Sequence, residues 1–156
     1  MKIKVQLWDI AGQERYALLT RSFYMYARGC IIMFDLNNPD SFENVRKWKQ
    51  VLDKNTADEV YAPIPCLLVA NKLDLPQRAV TDSQVEEMCR ELSCVQWTPV
   101  SVKEGIHVNE AVTYLLDVIL GRSPRSYTQS EFEIIDHIHL ADFVEQPKKK
   151  TCKACH

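Results

Sequence analysis

Two short, uninterrupted apolar runs fix the architecture open to this chain. Residues 29–35 read GCIIMFD and residues 65–71 read PCLLVAN, each a few apolar residues closed by a polar one. A strand with water on one face alternates apolar and polar residues, whereas a strand apolar throughout is covered on both faces, as in parallel sheets. Residues 94–100 (CVQWTPV) are a further candidate strand, and residues 3–7 (IKVQL) alternate like a half-exposed strand near a sheet edge. Parallel neighbours need a crossover, and the intervening segments carry helix patterns. Asp40-x-x-Glu43 has the form of a capping box ahead of Phe42, Val45, Val51 and Leu52 at roughly helical spacing. Thr81-x-x-Gln84 opens a second helix with Val85, Met88, Cys89 and Leu92 on one stripe. A last helix is expected from about Val108 to Leu120, with Gly121 as its stop. Alternating strands and helices predict an α/β domain with a parallel sheet.

The chain has 156 residues, enough for one domain with its own core and too few for two. Its 19 Lys+Arg against 21 Asp+Glu leave a net charge of -2, so the basic excess that a nucleic-acid partner demands is missing. The four glycines, Gly12, Gly29, Gly105 and Gly121, are too far apart for a GxxxxGK[ST] phosphate loop, a GxGxxG dinucleotide loop or a GxSxG elbow. Cys30, Cys66, Cys89 and Cys94 lie in or beside apolar segments and read as small core residues in a reducing compartment. No signal-like apolar stretch precedes Trp8, and no apolar run approaches the roughly 18 residues that span a bilayer, so the chain reads as cytosolic. After Gly121 the composition changes to a segment without glycine or tryptophan that opens RSPRSYTQS, which places a boundary between a domain, 1–121, and a tail, 122–156.

Ligands of open α/β sheets bind at the carboxyl ends of the strands, so the polar residues that follow each apolar run are the candidates. The first strand is followed by Trp8-Asp9-Ile10-Ala11-Gly12-Gln13-Glu14-Arg15, the run at 65–71 by Asn71-Lys72-Leu73-Asp74, and the run at 94–100 by Ser101-Val102-Lys103. WDIAGQER, NKLD and SVK in this order resemble the Ras superfamily of small GTPases. FENVRKWKQ and PIPCLLVANKLDL narrow the resemblance to its Rab family, over about residues 1–121. WDIAGQER, with Ile10, is similar to the subgroup linked to lysosome-related organelles and the trans-Golgi.

The resemblance implies a parallel-sheet, P-loop-NTPase-like small G domain that binds GTP or GDP with Mg²⁺ and hydrolyses GTP. A carboxylate such as Asp74 can accept from both the N1–H and the N2–H of guanine, which favours guanine over adenine. By resemblance Asn71 holds the purine edge, Lys72 lays its stem along the ring, and Ser101, Val102 and Lys103 close over the base with a backbone N–H on the guanine carbonyl. Val102 stands where the family usually has alanine. Asp9 resembles the acid that supports Mg²⁺ through water, Gly12 offers its N–H to the γ-phosphate, and Gln13 orients the attacking water. Glu14 to about Tyr26 becomes the nucleotide-dependent segment and effector surface, with Tyr16, Phe23 and Tyr24 on an aromatic face. The family's first strand, phosphate loop and first switch do not occur in these residues. That strand lies in the family between the strands at 3–7 and 29–35, so a gap in the sheet and weak or absent nucleotide binding are expected. A second reading is therefore a non-catalytic module that binds Rab partners without nucleotide.

The tail ends KKKTCKACH, four lysines and no acid. Cys152-x-x-Cys155-His156 spells a c-type haem attachment pattern, and with His137 or His139 it supplies zinc-ligand chemistry. The Rab resemblance instead implies prenylation of Cys152 and Cys155, although C-x-x-C-x departs from the usual endings. Lys148, Lys149, Lys150 and Lys153 would add attraction to an anionic leaflet. The implied partners are guanine nucleotide, Rab effectors and regulators, the prenylation machinery and a membrane surface. The implied location is the cytoplasmic face of trans-Golgi and endosome- or lysosome-related membranes, with a cytosolic pool.

Overall fold

The computed structural model describes residues 3–10, 24, 26–56 and 63–122. The elements are β1 (Cys30–Asp35), α1 (Pro39–Thr56), β2 (Cys66–Asn71), α2 (Asp82–Glu91), β3 (Gln96–Pro99) and α3 (Val108–Ile119). The three strands pair in parallel in the order β1-β2-β3, with Cys30 opposite Cys66 and Leu68 opposite Trp97. Both apolar runs are strands, but only β2 is covered on both faces as expected: Met33, in the middle of β1, is 51% exposed because no helix among the described residues packs over it.

β2 is central, and its first five residues, Cys66 to Ala70, are all buried. Alternation along the strand sends its side chains to two different cores. Cys66, Leu68 and Ala70 pack with Ile32, Phe34, the α1 residues Phe42, Val45 and Leu52, and the α2 residues Val85, Met88 and Cys89. Leu67 and Val69 face the other way, onto Ala111 and Leu115 of α3. Helices on both faces of a three-stranded parallel sheet give the expected α/β architecture.

The caps explain the helix boundaries. Thr81 and Gln84 form the expected reciprocal capping box of α2. At α1 the cap is Asn38 rather than Asp40: Asn38 Oδ1 accepts from the N–H groups of Asp40 at 3.0 Å and Ser41 at 3.2 Å. Pro39 then takes the first helical position, where its missing N–H costs nothing. The apolar stripe of α1 also differs from expectation, since Val51 is exposed and the stem of Lys49 is buried in its place. Gly121, at φ +64°, terminates α3; its N–H donates to Val118 O, and the Arg122 N–H donates to Asp117 O at 2.8 Å.

Residues 3–7, expected as an edge strand, form no strand. Alternation is a local property, whereas a strand needs a neighbour to take its backbone hydrogen bonds. This segment does not pair with the strand at 30–35. Ile3 and Leu7 are instead exposed, at 44% and 69%, and Trp8, Asp9 and Ile10 border a groove beside β1. Among the described residues no helix is long and apolar enough to cross a membrane.

Candidate functional site

Parallel strands deliver their carboxyl ends to one edge of the sheet, and here those ends are Asp35, Asn71 and the Val100-Ser101 step after β3. Two loops grow from them. After β2, Lys72 adopts φ +67°, which turns the chain sharply, and the Leu75 N–H donates to Lys72 O at 3.1 Å to close the turn. The Leu73 N–H donates to Val100 O at 3.0 Å, tying this loop to the end of β3. After β3, Ser101 and Ile106 exchange N–H donors at 3.1 and 2.9 Å, a one-pair antiparallel bridge that folds residues 102–105 into a tight loop. Gly105 completes it at φ +69°, a conformation that a side chain would strain.

The side chains then join the two loops. Ser101 is fully buried, and its hydroxyl donates to Asp74 Oδ1 at 2.7 Å while accepting the Glu104 N–H at 3.1 Å. Asn71 Oδ1 accepts the Val102 N–H at 3.1 Å. Lys103 Nζ stands 3.8 Å from Asp74 Oδ2, and Lys72 Nζ pairs with Asp35 Oδ2 at 2.7 Å. The Ser101 hydroxyl, with Lys103 and Lys72 behind it, holds the Asp74 carboxyl below the usual carboxylate range. Burial works against charge on Asp35, but the Lys72 ion pair and the Asn37 N–H at 2.8 Å outweigh it, so Asp35 also stays below its ordinary value.

Asn71, Lys72, Asp74, Leu75 and Lys103 line a cavity of about 250 Å³. Its lining combines ionised and apolar groups. Asp74 is an ionised acceptor with lone pairs to spare, and Leu75 and the Lys72 stem supply apolar wall. Among the three residues of the second loop, the Ser101 and Val102 N–H groups are committed to Ile106 O and Asn71 Oδ1.

All six residues expected at the base side, Asn71, Lys72, Asp74, Ser101, Val102 and Lys103, therefore lie in these two loops. Asp9 does not line this cavity and borders the groove beside β1 instead. Tyr24, expected on an effector surface, is 6% exposed and packs in the core, with its hydroxyl pKa raised by burial and by Cys30. Its ring is largely covered and lines the groove beside β1 rather than an outer face. Gly12, Gln13, Tyr16, Phe23, Cys152 and Cys155 lie outside the described residues. Sequence reasoning passed over Asp35, which anchors Lys72. Its signal was that it closes the first apolar run as Asn71 closes the second.

The family model described as Ras family matches residues 1–121. The chain belongs to the Ras family. Its relatives place it among the Rab proteins. This Ras-family chain is 43% identical over 121 residues to Ras-related protein Rab-7L1 of Rattus norvegicus, which covers 78% of the chain and 59% of that relative. Against Ras-related protein Rab-32 of Mus musculus it is 34% identical over 154 residues, 98% of the chain and 67% of the relative. With Ras-related protein Rab-32 of Homo sapiens it shares 40% identity over 119 residues, covering 76% and 53% respectively. The chain thus spans about three fifths of the length of the Rab-7L1 relatives it matches.

Proposed function

We propose that this Rab chain is a guanine-nucleotide-dependent switch of membrane traffic, whose cavity after β2 and β3 holds the guanine base. The observation that carries this reading is Asp74: an ionised carboxylate fixed by a buried hydroxyl and lining a cavity of about 250 Å³. Asp74 accepts from N1–H and N2–H together, a donor pair that adenine lacks on one edge. Asn71 has given its oxygen to Val102, so its amide N–H₂ is the part left for the purine. Lys72, braced by Asp35, lays its stem against the ring. Lys103 supplies the backbone N–H for the guanine carbonyl, because its two predecessors are already engaged. Val102 is 52% exposed, so its added bulk over alanine points to solvent and does not crowd this loop.

On the family resemblance, Asp9 belongs to the Mg²⁺ side through water, Gly12 to the γ-phosphate and Gln13 to the attacking water. GTP bound with Mg²⁺ supplies the γ-phosphate whose hydrolysis turns such a switch off. Tyr16 and Phe23 are the residues assigned to effectors and regulators. Cys152 and Cys155 are assigned to the prenylation machinery, and through the lipid to the cytoplasmic face of trans-Golgi, endosomal or lysosome-related membranes. The division into a domain, 1–121, and a tail, 122–156, is part of the same reading.

The test is nucleotide content and affinity of the purified chain: denature it, quantify GDP and GTP, then titrate fluorescent GDP with and without Mg²⁺. The expected result is binding that unlabelled GDP displaces and ADP does not. Displacement by ADP as effective as by GDP would remove the base assignment. No binding under any condition would leave partner binding without nucleotide as the activity of this chain.

A further inference from the structure

The opposite end of the sheet carries a second concentration of chemistry that the nucleotide reading does not use. Cys30 and Cys66 begin β1 and β2 directly opposite one another, and Cys94 stands just before β3. Cys66 interacts electrostatically with both Cys30 and Cys94, and Cys89 Sγ lies 3.7 Å from Cys94 O. Lys49, whose ammonium pairs with Asp53 at 2.6 Å, brings a nearly buried cation to the same end. The four thiols are free.

They are not equivalent. Cys89 is buried and its pKa is pushed up to about 11, mostly by loss of solvent. Cys66 is also held protonated, by its two cysteine neighbours and by burial. Cys30 and Cys94 are both partly exposed, and the neighbouring Cys66 thiol, with Lys49 behind it, keeps each below the ordinary thiol value. What separates these two is their surroundings. Cys30 lines a groove of about 230 Å³ whose walls include Trp8, Ile10, Tyr24, Trp48 and Leu52, and Cys94 does not.

We propose that Cys30 is a covalent modification site for apolar α,β-unsaturated aldehydes, which lie along the groove beside β1 while the thiol adds to their β-carbon. In this addition the Cys30 thiol gives its proton to water, the sulfur forms a C–S bond to the β-carbon, and the C=C pair shifts toward the carbonyl as an enolate. Water then returns a proton to the α-carbon. The net change is S–H added across C=C, with nothing oxidised and no leaving group. Selectivity comes from the wall: each methylene laid against Trp48 and Leu52 leaves water. A charged disulfide such as oxidised glutathione has no such gain.

The experiment treats the full chain with trans-2-nonenal, acrylamide or oxidised glutathione in parallel and follows Cys30 and Cys94 separately by peptide mass spectrometry. Acrylamide reads thiol reactivity without a chain to bury. The expected result is nonenal adding at Cys30 roughly tenfold faster than at Cys94, with acrylamide separating them by less than about threefold. The preference should vanish in guanidinium. Ile10→Asn, which makes the groove wall polar without adding charge, should slow nonenal at Cys30 and leave the acrylamide rate there unchanged. Equal nonenal-to-acrylamide ratios at the two cysteines, a ratio that survives guanidinium, or faster reaction of Cys30 with oxidised glutathione than with nonenal would each overturn the proposal. None of these readouts depends on nucleotide binding.

Discussion

The loops after β2 and β3 are tied to one another by the Ser101 to Asp74, Val102 to Asn71 and Leu73 to Val100 hydrogen bonds, all between 2.7 and 3.1 Å. The segment at 3–10, which carries the equally recognisable motif residue Asp9, belongs to no strand and leaves Leu7 and Trp8 exposed at 69% and 62%. Both stretches follow from family motifs of similar clarity. They differ in where their partners come from. The base-side loops find each other at the ends of two strands already paired in the sheet, so the sheet does the positioning. The segment at 3–10 would need a backbone neighbour along its length, and among the described residues β1 meets it across a groove rather than a ladder. A strand-end motif is therefore structured as soon as its strands pair, whereas an edge motif waits for another strand.

The contrast can be broken at the sheet itself. Leu68 is fully buried at the centre of β2, and Leu68→Ala should destabilise the chain by about 3 kcal/mol through lost burial and the cavity left behind, measured by urea unfolding. A cost below about 1 kcal/mol would mean that β2 does not organise the strand-end loops. Next in size is Asp74→Ala, which removes two charge-assisted acceptor contacts and should weaken fluorescent GDP binding roughly a hundredfold, with a stability loss of only about 1–2 kcal/mol from the buried Ser101 hydroxyl that loses its acceptor. Unchanged affinity would detach the guanine assignment from the best-ordered part of the site.

Two smaller effects sharpen the comparison. The Asp35 carboxyl titrates lower folded than unfolded, so its contribution is complete above about pH 4 and is lost as pH falls through its folded value. Asp35→Asn should cost under about 1 kcal/mol at pH 7, because Lys72 is half exposed, and should flatten the acid limb of a stability-against-pH curve. A steeper acid limb in the variant would reverse the sign argued here. Leu7→Ala, at the exposed end of the comparison, should shift stability by less than about 0.5 kcal/mol. A loss on the scale of Leu68→Ala would show that residues 3–10 are packed as a strand in solution.

What the sequence determined by itself was whatever a few adjacent residues decide. GCIIMFD and PCLLVAN both announced strands, but the two-sided cover that an unbroken apolar run implies holds only for PCLLVAN, since Met33 of β1 is 51% exposed. Thr81 and Gln84 announced their helix because a capping box closes within one turn, and NKLD and SVK marked the edge where parallel strands end. Even at short range the neighbours could mislead. Asp40 had the spacing of a cap, but Asn38 took the role because Pro39 occupies the first helical position.

Only the tertiary structure decided which of these pieces meet. Ser101 reaches Asp74 across 27 residues, and Val102 reaches Asn71 across 31. Lys72 is braced by Asp35 from a neighbouring strand, and Tyr24 is turned inward. IKVQL alternates as a strand should and is not one. Alternation records which side chains prefer water, and it carries no information about whether a second backbone stands about 4.8 Å away to pair with.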